Sequence, residues 1–171
     1  MEELLQAVKE SLLGITNERF YETERGFQGE LNAELRSRLS GFELEGAIVE
    51  QEYQKRMPYH GFRIRPDLII HIPFEGTEFL SRSEGNFMVI ELKHRASRSE
   101  ARADYDNLIR MCETLGYPTA VFINIDSDET YIEESVQPTQ ASIYAFAVRL
   151  RGGEVQVTEQ KKHNNALQTD V

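Results

Sequence analysis

Arg65-Pro66-Asp67-Leu68-Ile69-Ile70 and, after a polar loop, Phe87-Met88-Val89-Ile90-Glu91-Leu92-Lys93 decide how this chain folds. Each segment carries apolar residues at the spacing of a strand. The first opens on an acid and the second closes on Glu-X-Lys. Strand side chains repeat every two residues, so Phe87, Val89, Glu91 and Lys93 are expected on one face. Residues 63–72 alternate in the same way: Ile64, Leu68, Ile70 and Ile72 fall on one face, Arg63, Arg65, Asp67, Ile69 and His71 on the other. Paired as neighbours, the two strands bring two carboxylates and one ammonium to a single point. That set of groups suits a hard divalent cation.

Working outward, residues 2–13 read as an amphipathic helix closed by Gly14. A second helix is expected from a cap at Thr16 or Asn17 to Leu39, stopped by Gly41. Phe20, Phe27, Leu31, Leu35 and Leu39 form its apolar stripe, with Glu24 inside it. An ionised carboxylate facing a core costs several kcal/mol unless something compensates it. Gly26 and Gly29 each cost about 1 kcal/mol against Ala in a helix interior, so close approach and a bent or interrupted helix are both open. Residues 47–54 read as a strand and 73–86 as a loop. Ser97 with Glu100 forms a capping box, and Gly116 then Pro118 stop a helix whose face is Ala101, Tyr105, Leu108, Cys112 and Leu115. Thr119–Ile125 is a buried strand, and Ser142–Leu150 with Glu154–Thr158 a hairpin across Gly152-Gly153. The expectation is an α/β sandwich with a mixed central sheet. A single domain covers 1–159, with 1–16 as a helical extension and 160–171 as a polar, disordered tail.

Composition narrows the function. At 171 residues the chain is one domain by size. A single cysteine, Cys112, excludes an intrachain disulfide framework and a multi-Cys zinc site. No apolar run is long enough to cross a bilayer, and Met1-Glu2-Glu3-Leu4-Leu5 is acidic rather than signal-like, so no membrane partner and a cytoplasmic location are expected. A net charge of −10 opposes a broad, sequence-independent grip on a polyanion. The basic residues nevertheless concentrate in mid-chain, among them Lys55, Arg56, Arg63, Arg65, Lys93, His94, Arg95, Arg98, Arg102 and Arg110.

On Pro66, Asp67, Glu91 and Lys93 the chain resembles the PD-(D/E)XK nuclease superfamily over roughly residues 17–125. The resemblance implies a restriction-endonuclease-like three-layer sandwich and metal-dependent hydrolysis of DNA phosphodiester bonds, in bacterial or phage defence or in repair. It implies Mg²⁺ or Mn²⁺ held by Asp67, Glu91 and the Leu92 carbonyl. Glu24 matches the family's helical acid, acting on a metal directly or through water. Lys93 would orient the attacking water and stabilise developing phosphoryl charge. Two neighbouring carboxylates favour its charged form, which argues against a free general base.

Arg65, His94, Arg98 and Arg102 are candidates for substrate contact, although the helix beginning near Arg98 lacks the Gln or Lys often found there in the family. Glu52 reads as an exposed strand residue, Cys112 as inert core, and Tyr53 and Tyr59 as packing residues. His60, His71 and His94 have no zinc-like spacing. Two rival readings stay open: a catalytically inactive nuclease-fold module that binds a protein partner or nucleic acid, and a subunit that cuts only within a larger complex. A homodimer is open as well.

Overall fold

Strand β3 (Asn86–His94) organises the architecture, because helices cover both of its faces. The computed structural model describes residues 1–41, 46–52, 65–73 and 84–162. Within it a six-stranded sheet runs in the order β1-β2-β3-β4-β5-β6. β1 (Ile48–Gln51), β2 (Leu68–His71) and β3 pair antiparallel. β4 (Thr119–Ile125) and β5 (Ser142–Arg151) then continue parallel to β3, and β6 (Glu154–Lys162) closes antiparallel. Strands β1, β3, β4 and β5 therefore all end at the same edge of the sheet.

Helices α1 (Glu2–Gly14) and α2 (Glu24–Leu39) cover one face and α3 (Arg98–Leu115) the other. Leu68, Ile70, Met88, Ile90, Val121, Ile123 and Phe146 point to α1 and α2, and Ile69, Val89, Phe122 and Ala145 to α3. Cover on both faces is why the central strands read as near-continuous apolar runs. The element order α2-β1-β2-β3-α3-β4 gives the expected three-layer α/β sandwich with a mixed sheet. No helix among the described residues is long and apolar enough to cross a membrane.

Several boundaries differ from expectation for physical reasons. The helix expected from residue 17 to 39 is interrupted: Asn17 caps a 3-10 turn, Glu18–Glu22, and extended Thr23 breaks the chain before capping α2 through Gly26 N–H. A Cβ on Gly26 would lie 2.9 Å from the Thr23 hydroxyl, so this glycine keeps the cap in place; around Gly29 there is open space. The N-terminal helical extension packs on the sheet, with Leu4, Leu5, Val8 and Leu12 buried in the core. Strand β6 runs to Lys162, four residues past the expected strand end at Thr158, and Lys162 Nζ donates to the carbonyls of Ser135 and Gln137. Phe87 does not share the face of Val89. The β2–β3 register skips it between His71↔Asn86 and Ile70↔Met88, and this bulge turns Phe87 to the same core as Met88. The start of the second expected strand at residues 63–64, the end of the first at 53–54, most of the 73–86 loop, and Lys55, Arg56, Arg63, Tyr53, Tyr59 and His60 lie outside the described residues. So does most of the tail.

Asn124, fully buried in β4 opposite Lys93, ties the turn after β3 to the loop after β4. Its Oδ1 accepts from Ala96 N–H (2.9 Å) and its Nδ2 donates to the Glu129 carbonyl (2.8 Å). Asn124→Ala strands both backbone groups, and urea unfolding is expected to show a loss of about 2–4 kcal/mol.

Candidate active site

The site forms where β2 begins and β3 ends. Ile69 and Val89 pack under α3, and Asp67, Glu91 and Lys93, at even steps from them, share that face. Asp67 is held from several directions. Its Oδ2 accepts from Leu92 N–H (2.7 Å), and its carbonyl accepts from Glu52 N–H (3.0 Å) and from the Gln28 side chain (2.8 Å). Gln28 itself is buried, one turn along α2 from Glu24. Glu91, only 9% exposed, hydrogen-bonds to Asp67 through its side chain.

Glu24 arrives differently from expectation. Helix α2 lies on the opposite face of the sheet, and Glu24 is its first residue rather than a core-facing interior one. Its half-exposed carboxylate reaches the end of β3, accepting from His94 N–H (3.2 Å) and lying 3.7 Å from Lys93 Nζ. A helix N-terminus favours an anion, which makes this a tolerable place for it.

A fourth acid completes the group. Asp104, from α3, is 16% exposed and its Oδ2 lies 4.0 Å from Lys93 Nζ. That oxygen is buried without a hydrogen-bond partner among the described residues. Asp104 was legible by the same signal as Glu24, since it falls three residues after Ala101 and four before Leu108 on an apolar face.

The electrostatics follow from crowding acids in a half-dry site. Burial first, then the charge of Asp67 and the hydrogen bond to it, hold Glu91 well above the usual carboxylate range. Burial also raises Asp67, more than the Leu92 N–H lowers it. Asp104 is pushed up to about 6, chiefly by burial, against the pull of Lys93. Burial alone would lower Lys93, but Asp104, Glu24, Asp67 and Glu91 together lift it above the ordinary lysine value. The carboxylates around Lys93 thus favour its charged form.

Hard oxygens from Asp67, Glu91, Glu24 and Asp104 are the donor chemistry that Mg²⁺ or Mn²⁺ takes, and the buried, unpartnered oxygen of Asp104 fits the same need. As folded here, Glu91 and Asp67 share a hydrogen bond instead. No group of three His, Cys, Asp or Glu among the described residues is arranged to hold an ion.

The remaining candidates divide. Arg65 is exposed and pairs with Glu52 (2.8 Å), which Arg25 also meets, so Glu52 is an anchored ion pair rather than a plain solvated residue. His94 lies at the site through its backbone, and its Nε2 is buried without a hydrogen-bond partner among the described residues. Arg98 is engaged elsewhere, with Glu134 (2.7 Å) and Glu133 (3.0 Å) and over the Tyr131 ring. Arg102 is exposed on α3. Cys112 is buried, its thiol pushed up to about 12 by that burial, in keeping with inert core.

No protein-family model matches the chain, and no curated protein matches it in sequence. Among solved structures it is similar in shape to Pyrococcus furiosus SfsA in complex with Ca²⁺, with a TM-score of 0.41 and 15% identity over 79% of this chain. It spans 62% of the SfsA chain. It is also similar to NucC of P. aeruginosa ATCC27853 in its cAAA-bound form, with a TM-score of 0.46 and 9% identity over 92% of this chain and 81% of that one. Both likenesses are distant.

Proposed function

We propose that the protein is a metal-dependent nuclease that hydrolyses DNA phosphodiester bonds. One observation carries this reading: acids from β2, β3, α2 and α3 converge on a single lysine at the end of β3. Such a cluster is poor design for stability, because like charges oppose one another in a half-buried place. It suits a dication and a phosphoryl group. Asp67, Glu91 and the Leu92 carbonyl would hold Mg²⁺ or Mn²⁺, with Glu24 alongside. The ion would supply charge neutralisation and an acidified water when bound. The Lys93 ammonium, kept charged by its neighbours, is suited to stabilising the phosphoryl oxygens as negative charge builds. The buried Gln28 holds the backbone of Asp67 in place through its carbonyl.

Cleavage of plasmid and oligonucleotide DNA with Mg²⁺ or Mn²⁺ is the direct test. Asp67→Ala and Lys93→Ala, each with wild-type circular dichroism, are expected to lose at least ~10³-fold in rate, roughly 4 kcal/mol of barrier. Undiminished cutting by both variants refutes the assignment.

A second reading, an inactive nuclease-fold module that binds a partner, is favoured by the absence of a preformed three-acid ion site among the described residues. Calorimetric titration with Mn²⁺ separates the two. A nuclease binds the ion in a manner lost with Asp67→Ala, whereas an inert module gives no heat.

A further inference from the structure

The edge of the sheet that holds the site also carries two guanidinium clusters, one on each side of it. Toward β1 and β2, Glu52 gathers Arg25 (3.2 Å) and Arg65 (2.8 Å). Toward β4 and β5, Asp126 and Asp128 gather Arg95, Arg149 and Arg151, with Arg149 bridging the two acids at 3.4 and 2.8 Å. In each cluster the arginines outnumber the carboxylates, so both are locally positive in a chain of net charge −10. Arg25 follows Glu24 directly and Arg95 lies two residues past Lys93, so the clusters adjoin the site itself.

Stability does not explain them. Exposed ion pairs contribute little to stability. Glu52, Arg95 and Asp126, the residues just past the ends of β1, β3 and β4, all hold left-handed backbone at φ 47°, 52° and 52°. Left-handed backbone is unfavourable for residues that carry a Cβ. What the strain accompanies is orientation: at these strand ends the Glu52 and Asp126 carboxylates meet the guanidiniums of Arg25, Arg65, Arg95 and Arg149. Arginine forks held in this way suit phosphate oxygens.

Building on the nuclease reading of the site, we infer that this edge is a phosphate track. One nucleic-acid strand crosses it from Arg25 and Arg65, past Lys93, to Arg95, Arg149 and Arg151. From β1 to β5 is about 19 Å at ~4.8 Å per strand, which is five or six nucleotides at 3.4 Å each. The net charge of −10 opposes a broad grip on a polyanion, so binding depends on such local clusters beside the reacting centre.

The test is anisotropy of a labelled DNA strand of about 20 nucleotides, with Ca²⁺ as the divalent ion, over a salt series near ~100 mM. Arg65→Ala and Arg149→Ala are each expected to weaken binding about 5- to 10-fold and to lower the slope of log affinity against log salt by about 1. Lys9→Ala, which removes an equal charge from the Lys9–Glu159 pair on α1 and β6, is expected to change neither. Wild-type affinity in both arginine variants, an equal loss in Lys9→Ala, or no binding by the wild type overturns the track. The outcome is separable from that of the nuclease reading. Weakened binding without any cleavage sustains the track and removes the enzyme. Metal-dependent cleavage with KM unchanged in both arginine variants does the reverse.

Discussion

Glu91→Gln is expected to make the metal-free protein more stable while removing the proposed cleavage activity. Glu91 sits in a nearly dry position against Asp67 and holds its proton well above the ordinary carboxylate range because burial and that neighbour oppose its charge. Ionising it at neutral pH therefore works against the fold. A glutamine amide has the shape of the protonated acid and can donate to the Asp67 carboxylate as that acid would. It keeps the contact and removes the charge. Relief of one such conflict commonly yields about 0.5–2 kcal/mol, and a domain of this size gains roughly 2–4 °C in Tm per kcal/mol. Function moves the other way, because a neutral amide is a poor ligand for a hard dication. A loss of at least ~10³-fold in cleavage is expected, about 4 kcal/mol of barrier. Thermal unfolding in EDTA at pH 7.5 and a cleavage assay on the same preparation check both halves. A less stable variant would show that Glu91 is a structural acid, and an active one that it holds no ion.

Stability and activity pulling apart at one residue is also why the site could be read from the sequence in part. Asp67, Glu91 and Lys93 were legible because strand periodicity is local: the side of the sheet follows from counting by two from Ile69 and Val89. Glu24 was legible as an anomaly, a carboxylate in an apolar stripe, but not in its placement. The choice of Thr23 over Asn17 as the cap of α2 depends on how Phe27, Leu31 and Leu35 dock on the sheet, and that docking is tertiary. Asp104 carries the same anomaly on α3, so the pattern held that information too. The bulge at Phe87 and the partners of the arginines were not readable at all. Arg98 meets Glu133 and Glu134, and Arg149 meets Asp126 and Asp128, across loops whose path no short-range rule dictates. Side-chain period reveals which residues share a face; which exposed charges meet is settled only by where the loops return.

The same crowding predicts that the metal-free protein loses stability as pH rises through the weakly acidic range, and that Mn²⁺ restores it. Asp67, Glu91 and Asp104 all titrate above their ordinary values in the folded state, Asp104 near 6. An acid of this kind binds its proton more tightly folded than unfolded. Its contribution is thus most favourable below the unfolded value near 4, declines as pH climbs toward the folded value, and is exhausted above it. The lifted Lys93 does not offset this, since a raised lysine keeps its full contribution at all pH values below its unfolded one. Between pH 5 and pH 8 in EDTA, Tm is expected to fall by several degrees, on the scale of 2–4 °C per kcal/mol for this size. An ion binding the ionised acids reverses the trend, because it takes the place of the protons. At a free Mn²⁺ concentration of ~100 Kd the gain is about 2.7 kcal/mol, and it is expected to be larger at pH 8 than at pH 5. In Asp67→Ala the Mn²⁺ increment is expected to vanish while the fold persists. A wild-type Tm that is flat from pH 5 to 8, or a Mn²⁺ increment that survives the loss of Asp67, would place the acids of β2 and β3 outside any ion site.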